Sequence, residues 1–276
     1  MKVKQRQPAT GIEEIHITFD DSTVTIRSDV EQVQSRIRRD FAQLIGKREG
    51  TSVAVLGLNT AQNGFVLEGP AFTPIQHRDL DQLIVVLKEE VRLEFMRSRP
   101  DLLWLHAGAV ERDGRCMLIL GVSGQGKSTL STSLYARGWR LMSDDVVPIA
   151  MDGALAYPFP QTPFRRVPSD DDWNPVQLST AGREAVELSP ESIVIDPVPI
   201  GELVFPFFER GAPTVLSRLT KGEGALEMLR SSTNFCDHKE KAVERAARMA
   251  ETLPAYRLVY GVAEKAVQSL EGLRGS

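Results

Sequence analysis

Three observations in the 276-residue sequence predict an α/β protein. First, the apolar run "CMLIL" leads straight into "GVSGQGKST" at 121–129, the pattern of a buried strand, a glycine-rich loop and a helix. Second, another apolar run, "LLWLHAGAV", precedes it across an Asp-Gly turn, and a short strand, "WRLMS", follows the helix. Third, the first hundred residues alternate strand-period and helix-period segments without such a loop. The predicted organisation is a small N-terminal α+β module over 1–100 and a phosphate-loop α/β domain over 101–276.

The elements follow in order. "IHITF" and "TVTIR" alternate apolar and polar residues across "DDS" and read as a hairpin. Val30, Val33, Ile37, Phe41 and Leu44 recur at helical spacing, with Asp29 placed to cap that helix. "SVAVLGL" and "GFVLE" are strands separated by the turn-prone "NTAQNG". A helix from about Asp79 to Arg97 carries Leu80, Leu83, Ile84, Leu87, Val91 and Phe95 on one face, and Pro100 ends it. Nothing in this module carries a chemical motif. Structural support is its default role, with docking or assembly into a homo-oligomer left open.

Beyond it, the helix behind the loop runs from about Lys127 to Arg137 and stops at Gly138. "VVPIAMDGALAYPFP" reads as a second Asp-Gly hairpin, and a Pro-rich polar stretch extends to about residue 200. "ELVFPFF" and "YRLVYG" are further strands, with helix around 238–252 and a short helix at the end.

Charge and composition exclude some classes. A net charge of −4 argues against a nucleic-acid binder, which normally shows a basic face, and the basic run "RIRRD" reads as a solvated helix face. Two cysteines, Cys116 and Cys236, cannot build a disulfide framework and suit a reducing compartment. "MKVKQRQPATG" lacks the apolar core of a secretory signal, and no apolar run is long enough for a membrane span. The expectation is a cytoplasmic protein with neither a membrane nor a nucleic-acid partner.

The chemistry concentrates at 121–145. Gly121, Gly126, Lys127 and Ser128 fit G-x-x-x-x-G-K-[ST], which arises by chance in about one chain in a hundred of this size. Glycines let successive amides point into one concavity that holds phosphate oxygens, and the following helix adds its positive end. The expected phosphate-binding set is Gly121, Ser123, Gly124, Gln125, Gly126, Lys127, Ser128 and Thr129. Lys127 supplies a mobile cation, and the Ser128 hydroxyl is a magnesium ligand. A dinucleotide fingerprint fits less well, because Thr129 stands where its third glycine belongs. Asp144 and Asp145 follow seventeen positions after Lys127. A strand–helix–strand unit brings them beside the loop, where one carboxylate can hold Mg²⁺ and the other accept a proton from an incoming hydroxyl. On a regular strand neighbours point to opposite sides, so convergence requires irregular backbone.

Residues 105–149, "LHAGAVERDGRCMLILGVSGQGKSTLSTSLYARGWRLMSDDVVPI", resemble the catalytic core of HPr kinase/phosphorylase and its HPr-kinase-related relatives. The shared features are a histidine followed by small residues, a hairpin, a G-x-S-G-x-G-K-S loop, a helix ending in Arg-Gly, and a paired Asp. The resemblance implies a nucleotide-binding fold akin to phosphoenolpyruvate carboxykinase and ATP-dependent phosphoryl transfer to a serine hydroxyl. It implies that Lys127 and Ser128 serve ATP and Mg²⁺, that one of Asp144 and Asp145 is the base and its neighbour binds metal, and that His106 lies near the phosphates; the favoured assignment is Asp144 as base and Asp145 as metal ligand. From its own surroundings His106 reads equally as a hydrogen-bonded core histidine. The Glu-hydrophobic-Arg-Gly-hydrophobic-Gly motif of the phosphorylases has no copy here; "AGREAVELS" and "FERGAP" are poor substitutes. The resemblance is therefore to the related kinases, some of which act on ribosomally made precursor peptides.

Arg165 and Arg166 in "PFRRVPSDDDW" suit either a lid over a γ-phosphate or a solvated loop, with Arg183 and Arg210 as further cations. Asp170–Asp172 read as solvated, and Cys236 with His238 makes a poor zinc site for want of a second pair. The expected activity is an ATP-dependent kinase for a protein or peptide. The alternatives are a small-molecule kinase, a phosphoenolpyruvate-carboxykinase-like enzyme, or a non-catalytic ATP-gated binding module.

Overall fold

A computed structural model describes residues 11–46, 50–122, 124–166 and 183–274. The chain divides into two compact units, Met1–Arg99 and Pro100–Ser276.

In the first unit, β1 (Glu13–Phe19) and β2 (Ser22–Ser28) form the expected hairpin, Ile17 opposite Val24. Then come α1 (Glu31–Asp40), β3 (Thr51–Ala61), β4 (Gly64–Gly69), β5 (Phe72–His77) and α2 (Leu80–Ser98). The strands lie in chain order in one sheet, with β2 and β3 parallel across α1 and the other pairs antiparallel. Ile15, Ile17, Val24, Ile26, Leu56 and Leu58 are buried, as are Val33 and Ile37 of α1 and Leu83, Leu87, Val91 and Phe95 of α2. This is the period-2 face of a sheet covered by the period-3.6 stripes of two helices. Asp79 caps α2, accepting from the amides of Asp81 at 2.9 Å and Gln82 at 3.4 Å. Asp29 does not cap α1. Its carboxylate accepts instead from the Thr60 amide at 2.9 Å and the Thr60 hydroxyl at 3.2 Å, while Val30 takes the cap position. An edge-of-ladder amide competed for the same oxygen and won. β5 was not expected from the sequence, where Pro74 argues against a strand; here β5 is an edge strand, where proline is tolerated.

The second unit begins with β6 (Leu102–Arg112) and β7 (Arg115–Leu120), joined by a turn in which Asp113 and Gly114 both have positive φ. Next are α3 (Lys127–Tyr135), β8 (Arg140–Ser143), β9 (Val146–Ala150), β10 (Leu155–Ala156), β11 (Phe164–Arg166) and β12 (Arg183–Ala185). The rest is β13 (Val198–Phe208), β14 (Val215–Arg218), α4 (Lys221–Arg230), α5 (Phe235–His238), α6 (Glu240–Thr252), β15 (Ala255–Tyr260) and α7 (Ala263–Glu271). The main sheet has the order β10-β9-β6-β7-β13-β15-β14, with β8 also paired to β6; β11 and β12 form a separate ribbon. The unexpected α4 opens with a full capping box, Thr220 and Glu223 each bonding to the other's backbone amide.

The core sits on both faces of this sheet. Cys116, Leu118 and Leu120 of β7 join an apolar cluster with Met228, Ala242, Ala246 and Met249 from α4 and α6. Met117 and Ile119 join a second cluster with Leu130 and Leu134 of α3 and Ala266, Val267 and Leu270 of α7. Helices on both faces explain why "CMLIL" is apolar at every position. Among the described residues no helix is long and apolar enough to cross a membrane.

Candidate functional site

Strand direction assembles the site. β7 and β8 both run antiparallel to β6, one on each side, so they are parallel to each other. β13 runs parallel to β7, and β15 parallel to β13. The carboxyl ends of β8, β7, β13 and β15 therefore emerge at one edge of the sheet, where open α/β sheets bind ligands.

The glycine-rich loop leaves β7 at that edge. Gly121, Gly124 and Gly126 have φ of +150°, +89° and +88°, conformations that side-chain-bearing residues rarely adopt. At Gly126 the requirement is doubled, because an added Cβ would meet the Tyr260 hydroxyl at 1.8 Å. That hydroxyl lies 3.5 Å from the carbonyl oxygens of Gln125 and Gly126, and burial pushes it up to about 12. Lys127, the first residue of α3, is buried, and its Nζ donates to the carbonyls of Gly121 (2.7 Å) and Val122 (2.9 Å). Two of its three N–H groups thus brace the start of the loop, and one is left for an anion. Burial lowers its pKa to about 8, against the opposing pull of Asp145 and Asp144.

The acid pair lies where one ladder gives way to another. β9 pairs with β6 up to Val146 opposite His106, and β8 takes over at Ser143 opposite Ala109. Asp144 and Asp145 fill the break, off any regular strand, which removes the alternation that would point them apart. Asp144 turns inward toward α3, where the Ser131 hydroxyl donates to its Oδ1. Burial pushes its carboxyl up to about 6 despite hydrogen bonds from Ser131 and Ser128; Asp145 adds to the rise and Lys127 opposes it. Ser131 reaches that position because β6 carries Gly108 opposite it. A Cβ on Gly108 would come within 3.3 Å of Ser131 Cβ.

Asp145 is half-exposed and faces His106. The His106 Nδ1 lies 2.9 Å from the Asp145 carbonyl oxygen and 3.3 Å from its Oδ1. A carbonyl only accepts, so Nδ1 carries the proton and fixes the Asp145 backbone. The His106 amide donates to Ser231 at 2.7 Å, and that of Ala107 to Asp145 at 3.1 Å.

Lys127, Ser128, Asp144, Asp145 and His106 are therefore gathered at one sheet edge with Gly121, Gly124, Gln125, Gly126 and Thr129; Ser123 lies outside the described residues. Ser131, Gly108 and Tyr260 complete the arrangement and were not foreseen. Ser131 has a recoverable signal, lying one helical turn beyond Lys127 and on its face. Tyr260 has none, because only the register of β15 against β13 brings it to the loop.

The remaining candidates stand apart. Arg165 and Arg166 lie on β11, paired to β12 at Glu184 and Arg183, and Asp170–Asp172 fall outside the described residues. His238 Nε2 lies 3.1 Å from the Leu102 carbonyl, a structural bond, beside an exposed Cys236. Arg210 is exposed in the turn after β13. A shallow groove in the first unit, lined by Arg27, Val55, Asn59 and Glu68 among others, holds none of the site residues. Among the described residues no three His, Cys, Asp or Glu side chains cluster as a metal cage. What the loop offers is one hydroxyl, Ser128, and one half-exposed carboxylate, Asp145, oxygen donors of the kind that hard divalent cations take.

The molecule at this point is defined as a mixed α/β protein with a glycine-rich loop and an acid pair at the carboxyl edge of its larger sheet. No protein-family model and no curated protein matches the chain. Among solved structures it is similar to the Hpr(Ser) kinase/phosphatase from Coxiella burnetii, at 13% identity and a TM-score of 0.34. The match covers 62% of this chain and 94% of that one.

Proposed function

We propose that the protein is an ATP-dependent kinase that phosphorylates a serine or threonine hydroxyl of a protein or peptide. The observation that carries this reading is the placement of Asp144, buried just beyond β8, hydrogen-bonded to Ser131 of the loop's own helix and drawn toward its ionised form by the Lys127 charge. The peptide acceptor is supported by the sequence resemblance of residues 105–149 to HPr-kinase-related proteins.

In this mechanism the amides of 124–128 and the Lys127 ammonium hold the triphosphate and absorb charge as it shifts to the leaving oxygen. Ser128 and Asp145 would hold Mg²⁺, which supplies neutralisation of the β- and γ-phosphate oxygens when bound. His106 keeps Asp145 aimed through its Nδ1 proton. Asp144 takes the proton of the acceptor hydroxyl as that oxygen bonds to the γ-phosphorus, and the bond to the β,γ-bridging oxygen breaks to release ADP. An elevated pKa suits the task, because a carboxylate near 6 is a stronger base than an ordinary one yet is mostly ionised at neutral pH.

The test is transfer of label from γ-labelled ATP to serine- and threonine-containing peptides, run beside a screen of metabolite acceptors for ADP release. Peptide phosphorylation by the wild type is expected, with Asp144→Asn slower by about a hundredfold or more while still binding ATP. Undiminished transfer by Asp144→Asn would remove Asp144 as the base. Turnover with metabolites alone would make the enzyme a small-molecule kinase.

A further inference from the structure

The two sides of the glycine-rich loop differ in chemistry. On the β8 side lie the acids. On the other side, the carboxyl end of β13 and the residues just beyond β15 carry exposed apolar groups at the same edge of the sheet. Val204 of β13 belongs to the cluster shared with α3, so Pro206 and Phe208, two and four residues on, share that face. Pro206 Cδ stands 4.0 Å from the place a Cβ would take on Gly121, which puts β13 against the start of the loop. Phe208 pairs with Tyr260 across the strands, rings 5.5 Å apart at 65°, and Tyr260 lies against Gly126. Loop, Tyr260 and Phe208 are thus contiguous. Phe208 is nonetheless 46% exposed, and Val262, the residue before α7 and two beyond β15, is 50% exposed.

We propose that Phe208 is the stacking platform for the base of the bound nucleotide. This rests on the reading of the loop as a nucleotide site. A triphosphate whose terminal group faces Asp144 directs its nucleoside end away from β8, over β13 and β15, where Phe208 offers an aromatic surface at the rim. Stacking on one ring accepts any purine, because every base has a π-face. Tyr260 holds the Phe208 ring edge-on, so little side-chain freedom is lost when a base settles on it.

The test compares Mg²⁺-ATP with inorganic tripolyphosphate, which has the phosphates without the base, by calorimetric titration of the full chain. Wild type is expected to bind ATP more tightly than tripolyphosphate. Phe208→Ala should weaken ATP about tenfold and leave tripolyphosphate unchanged, whereas Phe208→Trp should keep ATP affinity. Unchanged tripolyphosphate binding also shows that the variant is folded. Equal losses for both ligands, or no loss for either, would overturn the platform while leaving the phosphate loop in place. Failure of the wild type to bind either ligand would overturn the nucleotide reading and the platform with it.

Discussion

Asp144 shows how burying one ionisable residue costs stability. Burial disfavours its ionised form, so the carboxyl titrates near 6 in the folded protein and in the ordinary carboxylate range when unfolded. Folding therefore takes up a proton between those values. The favourable contribution is complete below the unfolded value and is lost as pH rises through about 6. At neutral pH the ionised group costs on the order of 3 kcal/mol. Asp144→Asn should accordingly be more stable than wild type at pH 7, with the difference shrinking toward pH 4; denaturation at several pH values checks this. A second residue-scale outcome concerns Gly126. Gly126→Ala places a methyl group on the Tyr260 hydroxyl at φ +88°, at a cost of about 2 kcal/mol or more, and should abolish nucleotide binding. The double variant Gly126→Ala/Tyr260→Phe removes the nearest clash and should recover part of the lost stability, as thermal melts would show.

At the scale of elements, period carried most of the legible information. The β1–β2 hairpin, α2 with its Asp79 cap, the β6–β7 hairpin, α3 stopped at Gly138 and the terminal β15–α7 pair all follow from alternation, helical spacing and turn residues. What escaped was short or lay at an edge. β5 carries a proline, and β14 has only four residues, too few for alternation to register. The capping box at Thr220 and Glu223 is a local signal strong enough to have announced α4, but it precedes glycines that mask the helical stripe. Asp29 failed for a different reason: a nearby strand amide, visible only in three dimensions, claimed the side chain that local spacing assigned to the helix. The same division holds at the site. Lys127, Ser128 and the acids are close in sequence and were legible, while Gly108 and Tyr260 enter through strand pairing across distant segments.

At the scale of the whole molecule, the two apolar clusters that flank the larger sheet draw every member from residues after Pro100. All site residues come from the same unit. Residues 100–276 produced alone should therefore unfold in one cooperative step and bind Mg²⁺-ATP as the full chain does, which denaturation and titration calorimetry would test. Within that unit, β6 stands between the strand that launches the glycine-rich loop and the strand that delivers the acids. It carries His106 and Gly108, and the strand before the loop and the strand before the acids pair along its two margins. β6 thus sets the spacing between loop and acids, while β13, paired to the far margin of β7, steadies the loop's strand from its other side.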